Sequence, residues 1–353
     1  MTLASLHTRE FESAFSFHKQ SAIGTALAAA DIDKKLPYRG FGPPTVEFPA
    51  AISDDGWYGR GTNFPTFWDP IQKRVVIPPR QYSMTNYAAM FAAGFVMGAV
   101  SSTQPNSAGY SSVYDHAFTF QDAETNMDCN YTSLMEKAGA AWQNLISGVV
   151  LEQFTIEGNP NDHVSIRWQG FGRTQAADAT ALPALTTTGG FFNFRRCTLA
   201  FGATGATAAV GDKLTAFNFT ANQNPNARRN AGASAGEEML ISRVVVGKQR
   251  VTGGFTLDQI DSDLRNLFLN NSECAITLVC IGDLIAGTPY YHQVTISIPH
   301  FYIPSEAFGE DTDLTTITLP FNEQTVIKSG ADAYCTVTVR TNIDDSEILE
   351  LAA

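Results

Sequence analysis

The chain has 353 residues, enough for about two ordinary domains that each bury a core of their own. Charged residues make up 16% of it against a usual share of about 25%, with 35 acidic and 23 basic side chains and a net charge of −12. A field of that sign argues against stable DNA binding, and a surface so poor in charge suits a subunit whose flanks are covered by neighbours.

Met1 to His7 lack the basic-then-apolar layout of a signal peptide, so no export is expected. Gly40 to Asp69 sets Pro43, Pro44, Pro49 and Pro65 among Trp57, Tyr58, Phe64, Phe67 and Trp68. It reads as a long loop whose rings must dock on something, because so much exposed apolar surface otherwise invites aggregation. Met84 to about Met97 reads as a helix. The apolar stretch Tyr87 to Val100 falls well short of the about twenty residues of a membrane span, so the helix is expected in a core and no membrane partner is expected. Phe154 and Ile156, then Val164, Ile166 and Trp168, alternate with polar residues on either side of Gly158 to Asp162, the pattern of a hairpin.

Gln175 to Gly190, rich in Ala and Thr, reads as a linker between a first unit, 1–185, and a second, 186–353. Ala221 to Gly236 has almost nothing to bury and reads as a polar loop. Asp258 to Leu269 places Ile260, Leu264, Leu267 and Phe268 on one helical face, with Thr256 or Asp258 as cap. Val294, Ile296 and Ile298, and later Cys335, Val337 and Val339, alternate as strands. The fold class is therefore mainly β: two tandem β-sandwich or β-barrel domains, each with a flanking α-helix over an open face or edge.

One pattern occurs twice. Tyr114-Asp115-His116-Ala117-Phe118-Thr119-Phe120 returns as Tyr290-Tyr291-His292-Gln293-Val294-Thr295-Ile296, a displacement of 176 residues (290 − 114). At the same displacement Arg74-Val75 lies over Arg250-Val251, and the first helix lies over the second. A shared order of strand, helix and strand at a fixed offset is the mark of a duplication.

Chemistry is hard to find. No nucleophile elbow, phosphate-binding loop, His-Glu-x-x-His helix or dinucleotide turn is present, and Gly202-Ala203-Thr204-Gly205 lacks the lysine a phosphate needs. Glu310, Asp311 and Asp313 read as a solvated turn, and Asp258, Asp261 and Asp263 as carboxylates at a helix N-terminus, rather than as calcium ligands. His116 and His292 have no Asp, Cys or second His at ligand spacing, so both are assigned to packing or hydrogen bonding. A shared strand face for His292 and His300 requires a strand unbroken through Pro299, which is not expected. The five cysteines form an odd set without a Cys-x-x-Cys pair and read as reduced core residues. No enzyme activity, metal or cofactor is expected.

The repeated strand with its preceding helix, the segment Ile146 to Ile156, and the following strand that ends Trp168-Gln169-Gly170-Phe171-Gly172-Arg173 together resemble the tail tube (major tail) proteins of long-tailed bacteriophages. The resemblance covers most of residues 55–345 at the level of pattern. It implies a structural virion protein made in the bacterial host cytoplasm, with sandwich domains in rings of six stacked helically into a hollow tube. With two domains per chain, three chains complete a ring, and six chains is the alternative. DNA passes the lumen during ejection without stable binding, and an acidic bore lets it slide. Tape measure, terminator and baseplate proteins are the other partners implied.

In such a tube, segments that order only on meeting the next ring delay assembly until it is wanted, because ordering entropy opposes the contact. The inter-ring or inter-subunit contact candidates are Trp57, Tyr58, Phe64 and Trp68 in the aromatic segment and Asn224, Asn226, Arg228 and Arg229 in the polar one. Two other readings fit the composition: a capsid or decoration protein, and a carbohydrate-binding β-sandwich with Trp57, Tyr58 and Trp68 as a stacking platform.

Overall fold

The computed structural model describes residues 11–35, 45–47, 50–52, 68–70, 73–121, 128–138, 142–160, 162–184, 186, 191–210, 213–229, 240–258, 266–267, 269–304, 307–311, 314–330, 332–344 and 348. The first half holds β1 (Phe11–Phe15), β2 (Lys34–Lys35), β3 (Thr45–Glu47), β4 (Ala50–Ile52), β5 (Trp68–Pro70), β6 (Arg74–Ser83), α1 (Asn86–Met97), β7 (Gly98–Thr103), β8 (Tyr114–Phe120), β9 (Thr132–Ala138), β10 (Trp142–Gly158), β11 (Ser165–Gly172) and β12 (Thr174–Ala177). The second holds β13 (Cys197–Ala203), β14 (Ala206–Ala209), β15 (Leu214–Asn222), β16 (Asn226–Arg228), β17 (Arg243–Val245), β18 (Arg250–Asp258), β19 (Cys274–Leu284), β20 (Tyr291–Phe301), β21 (Ala307–Asp311), β22 (Leu314–Phe321) and β23 (Thr336–Thr341).

Two sheets carry the core, and strands from both sides of residue 186 share each of them. The larger contains one continuous antiparallel run, β3-β6-β11-β10-β15-β18-β22-β21, with β2-β1-β9 and β12 branching from the first part of β10. The smaller reads β14-β13-β19-β20-β23-β8-β7. β8 and β20, the strands of the repeated Tyr-x-His pattern, flank β23 on its two sides, so that Val339 lies opposite both His116 and Val294.

The long run is itself made of two matching parts. In β3-β6-β11-β10, Glu47 lies opposite Arg74 and Glu157 opposite Ser165. In β15-β18-β22-β21, Asn222 lies opposite Arg250 and Glu310 opposite Thr315. Each part places its outer strand on the strand that opens with Arg74 or Arg250, then the second and first arms of a hairpin. The parts join where β10 pairs with β15 from Gln153↔Asn222 to Gly158↔Phe217.

β10 forks the sheet because it bends. Gly148 has φ 62, and a Cβ there would stand 2.6 Å from the Ile23 carbonyl oxygen. Before the bend β10 pairs with β9 and β12, and after it with β11 and β15. Gly148→Ala is expected to cost about 2–3 kcal/mol, the left-handed backbone and the overpacking together. A lowered urea midpoint at unchanged slope will show it.

α1 lies inside the sandwich instead of on its flank. Eleven of its twelve residues are buried and only Tyr87 is half-buried, so it has no polar face to turn to solvent. Ala88, Ala89, Ala92 and Ala93 let sheet residues close in, while Phe91 meets Phe15 at 4.4 Å and Trp168 at 5.4 Å between ring centroids. Thr85 caps the helix by accepting from the Ala88 amide. Farther along, Phe201 of the smaller sheet meets Phe255 of the larger at 5.2 Å. Among the described residues no helix is long and apolar enough to cross a membrane.

Several expectations change. The second helix falls mostly outside the described residues, with helical geometry at 266–267 and 269. Thr256 does not cap it, since two further residues of β18 follow, and Asp258 is the last residue of that strand. Four residues assigned to the linker or just before it, Thr174–Ala177, are strand β12, held by pairing with β10. Ala221 and Asn222 finish β15, and Asn226–Arg228 pair with β17. Within Gly40 to Asp69, Thr45–Glu47 is an edge strand, and Ala50–Ile52 pairs with Trp68–Pro70. β20 also runs through Pro299: the ladder to β19 shifts between Cys274 and Ile276, and the pairing to β23 stops at Ser297, so no ladder needs a proline amide there. All five cysteines are free and four are buried.

Candidate functional site

Two kinds of surface invite a partner. The first is the pair of ends of the long run. Among the described residues β3 pairs only with β6 and β21 only with β22, so each leaves a row of backbone donors and acceptors uncovered. Val46, on the face that the buried Val75 also occupies, is 39% exposed, with no described strand on the far side of β3.

The second is a cleft of about 410 Å³ at one end of the strands, where β6 begins, β11 finishes and the chain leaves β15. Arg74, Glu152, Asn224, Asn226, Arg229 and Lys248 line it. Its wall is fixed by Gln223, which is buried and donates its side-chain amide to the carbonyls of Phe95, at 3.1 Å, and Leu151. That anchor turns the backbone, and Asn224 takes φ 46, a conformation asparagine tolerates. Gly247 returns against it, donating to Gln223 O at 3.1 Å, and a Cβ at 247 would stand 2.0 Å from Asn224 O. The ribbon of β16 and β17 beyond is pinned by a small cluster of Ile241, Val244 and Val246 on Val150 and Phe171, and by an ion pair between Arg243 and Asp128.

Among the described lining residues, Arg74, Arg229 and Lys248 stand against one carboxylate. Arg74 reaches Glu47 at 2.8 Å, while the carboxylate among the lining residues is Glu152, which already accepts from Gln169 at 3.4 Å. Burial, and then the charge of Arg74, press the Arg229 guanidinium below its ordinary pKa. Anionic groups are what such a place favours.

Of the residues expected to make contacts, Asn224, Asn226 and Arg229 come together in this cleft. Arg228 lies on β16 opposite Arg243 and is exposed. Trp57, Tyr58 and Phe64 lie outside the described residues, and Trp68 is described only as the first residue of β5, opposite Ile52. Arg74, Glu152 and Lys248 were not singled out as contacts. They stand far apart in sequence, and only the strand order brings them together.

The histidines are structural. His116 is buried between Ser102 Oγ, 2.8 Å from Nδ1, and Ile343 O, 3.0 Å from Nε2. His292 is buried too, and burial lowers its pKa. His300 lies between two carboxylates, Glu273 at 2.5 Å and Asp332 at 2.9 Å, whose hydrogen bonds raise its pKa.

What these parts define is a structural building block: an antiparallel sandwich with open strand edges and a charged end. Residues 71–322 match the family described as phage tail tube protein, and the chain belongs to that family. It is a structural, non-enzymatic protein of the virion tail. No curated protein matches it.

Proposed function

We propose that the chain is two tube units in tandem, 1–185 and 186–353, and that three chains close a ring of six units. The recurrence of a four-strand order within one sheet carries this reading. β3, β6, β11 and β10 all precede residue 186 and β15, β18, β22 and β21 all follow it, while β10 on β15 supplies the pattern for joining one unit to the next. The same join between chains sets β21 of one against β3 of the next. A heterologous contact of this kind closes into a ring when its rotation allows.

The outward face of the long sheet is the lumen wall in this reading. It presents Thr220, which pairs with the buried Thr155 at 2.9 Å, then Thr256 and Thr318, whose hydroxyls pair at 3.1 Å, and Asn218. The arginines on this face are tied to carboxylates, Arg167 to Glu157 at 3.3 Å, Arg74 to Glu47 at 2.8 Å and Arg250 to Glu323 at 3.5 Å. A neutral-to-acidic wall gives DNA few cations to grip, so few counterions are released and the polymer slides. Rings stack helically, with tape measure, terminator and baseplate proteins at the ends, and assembly takes place in the bacterial cytoplasm.

Electron microscopy of the purified chain, alone and with its tail-tip initiator, is expected to show rings or tubes with an open channel, and the native mass of a ring to be that of three chains. A mass of six chains removes the tandem arrangement and keeps the tube. Compact monomers in both preparations remove the tube.

A further inference from the structure

One cysteine of β13 and one of β19 meet across the smaller sheet. Cys197 lies directly opposite Cys280 in the antiparallel ladder, and their sulfurs stand 3.1 Å apart with both thiols free. Opposed residues on antiparallel strands have Cα atoms about 4.5 or 5.5 Å apart, and either spacing lies within the span of a disulfide. The backbone therefore has no distance to cover for a bond to form. Beside the pair, Leu199 faces Leu278 and Phe201 faces Ile276, all four buried, which holds the two strands in register. Access is one-sided. Cys280 is buried, whereas Cys197, the first residue of β13, is half-buried. On the other side of β13 the ladder of β14 covers Ala200 to Ala203 and does not reach Cys197. The turn Phe194–Arg196 brings the chain to that point, and Arg196 fastens it by donating to Gly282 O at 2.8 Å. The hydrogen bond with Cys197, and then burial, hold the Cys280 thiol well above its ordinary pKa, so the outer sulfur reacts first. Cys274 lies opposite Ala203 and Phe301, and Cys129 and Cys335 stand outside the ladders, all three buried.

We propose that Cys197 and Cys280 are an oxidation site, which a low-molecular-weight disulfide closes into a bond between β13 and β19 once the chain is in oxidising surroundings. The Cys197 thiolate attacks one sulfur of the oxidant, whose S–S bond breaks, and the first half leaves as a thiolate that takes up a proton. Cys280 then gives up its proton and attacks the Cys197 sulfur of the mixed disulfide, releasing the second half. Two electrons pass from the protein thiols to the oxidant, which ends as two thiols. The bond closes a loop from β13 to β19 that includes β15 and β18 of the long sheet, and constraining so long a segment in the unfolded chain favours the folded one. Disulfides persist on virion surfaces and are rare in the cytosol, so assembly proceeds with both thiols reduced and the subunit is stapled afterwards. The bond does not depend on how rings are built, whereas its use in a released tail rests on the tube reading.

The test takes the full chain, purified under reductant and then exposed to oxidised glutathione. Its intact mass should fall by two hydrogens, alkylation after denaturation should label three of the five thiols, and digestion should yield one linked pair of peptides, holding Cys197 and Cys280. The urea midpoint should rise by about 1 M over that of the reduced chain. Cys280→Ser should stop with one glutathione on Cys197, and Cys197→Ser should take up none, an asymmetry that follows from one open and one buried sulfur. Wild type alone decides whether the bond forms, even where a variant fails to fold. Five labelled thiols after long exposure, or a link through any other cysteine, overturn the proposal, and an unchanged midpoint with the bond in place overturns its stapling role. Tubes that dissolve at the same urea concentration with and without the bond remove its use in the tail. Wild type that forms the bond but neither rings nor tubes removes the tube and leaves the oxidation site.

Discussion

Replacing Glu136 by alanine is expected to lower folding stability by about 3–5 kcal/mol at pH 8, the usual cost of stripping one partner from a buried ion pair. Glu136 of β9 accepts from Arg80 of β6 at 2.7 Å, and both side chains are wholly buried. The pair bridges the two arms into which β10 splits the large sheet, so its loss is felt where the fork must hold. Burial pushes the Glu136 carboxyl up to about 7, with Arg80 pulling the other way, and Glu136 Oε2 has no hydrogen-bond partner. Since 7 lies above the ordinary 4.5, the folded state is the better proton binder. Stability from this site is complete below about pH 4.5 and falls by about 3 kcal/mol as pH rises through 7. Glu136→Gln, which keeps an acceptor and does not titrate, should flatten that slope. Arg80→Met with Glu136→Leu should return to within about 1 kcal/mol of wild type or exceed it. Urea melts at pH 5 and pH 8 decide the matter, and an equal loss for Glu136→Ala and Glu136→Gln at both would show that the charge is not what counts.

Local patterns in the sequence were good guides where one face of an element is wet and the other dry. The alternation around Phe154 and Trp168 marks a hairpin whose pairing places those two residues opposite each other. The apolar stretch after Met84 marks a helix too short for a bilayer and too uniformly apolar for a surface. The repeated Tyr-x-His strands flank β23, with His116 opposite Val339 on one side and Val294 opposite it on the other, although no local signal says that one strand near the end of the chain unites them. Composition misled where polar residues are satisfied by structure instead of solvent. Asn226–Arg228 form a ribbon because β17 supplies its ladder and Val244 its anchor. Gln223 is buried because two carbonyls accept its amide. The cleft was half legible: Asn224, Asn226 and Arg229 come from one segment, whereas Arg74, Glu152 and Lys248 arrive from strands whose order in the sheet only the fold reveals.

Cysteines placed at the two open edges are expected to link chains covalently into a ladder that ends at the trimer. Carrying the β10–β15 register over to β21 and β3 fixes where they belong. Thr155 lies opposite Thr220, with their hydroxyls 2.9 Å apart. The ladder of β6 to β11 shifts by one residue between Trp168 and Gly170, and directly opposed residues share a face, so Ala307, opposite Thr318, takes the place of Thr155 in the second hairpin, and Thr45, opposite Val76, takes that of Thr220 on the outer strand. The opposed pair between chains is thus Ala307 with Thr45. Side chains that meet in this way come within reach of a disulfide. Thr45→Cys with Ala307→Cys should therefore oxidise efficiently, while the native thiols, four of five buried, link no chains. Denaturing gels should show dimers and trimers with nothing larger, because the third bond closes the ring. Bands up to six chains would assign one unit to each chain, and monomers from this variant in assembled tubes would mean that the rings are joined by some other edge.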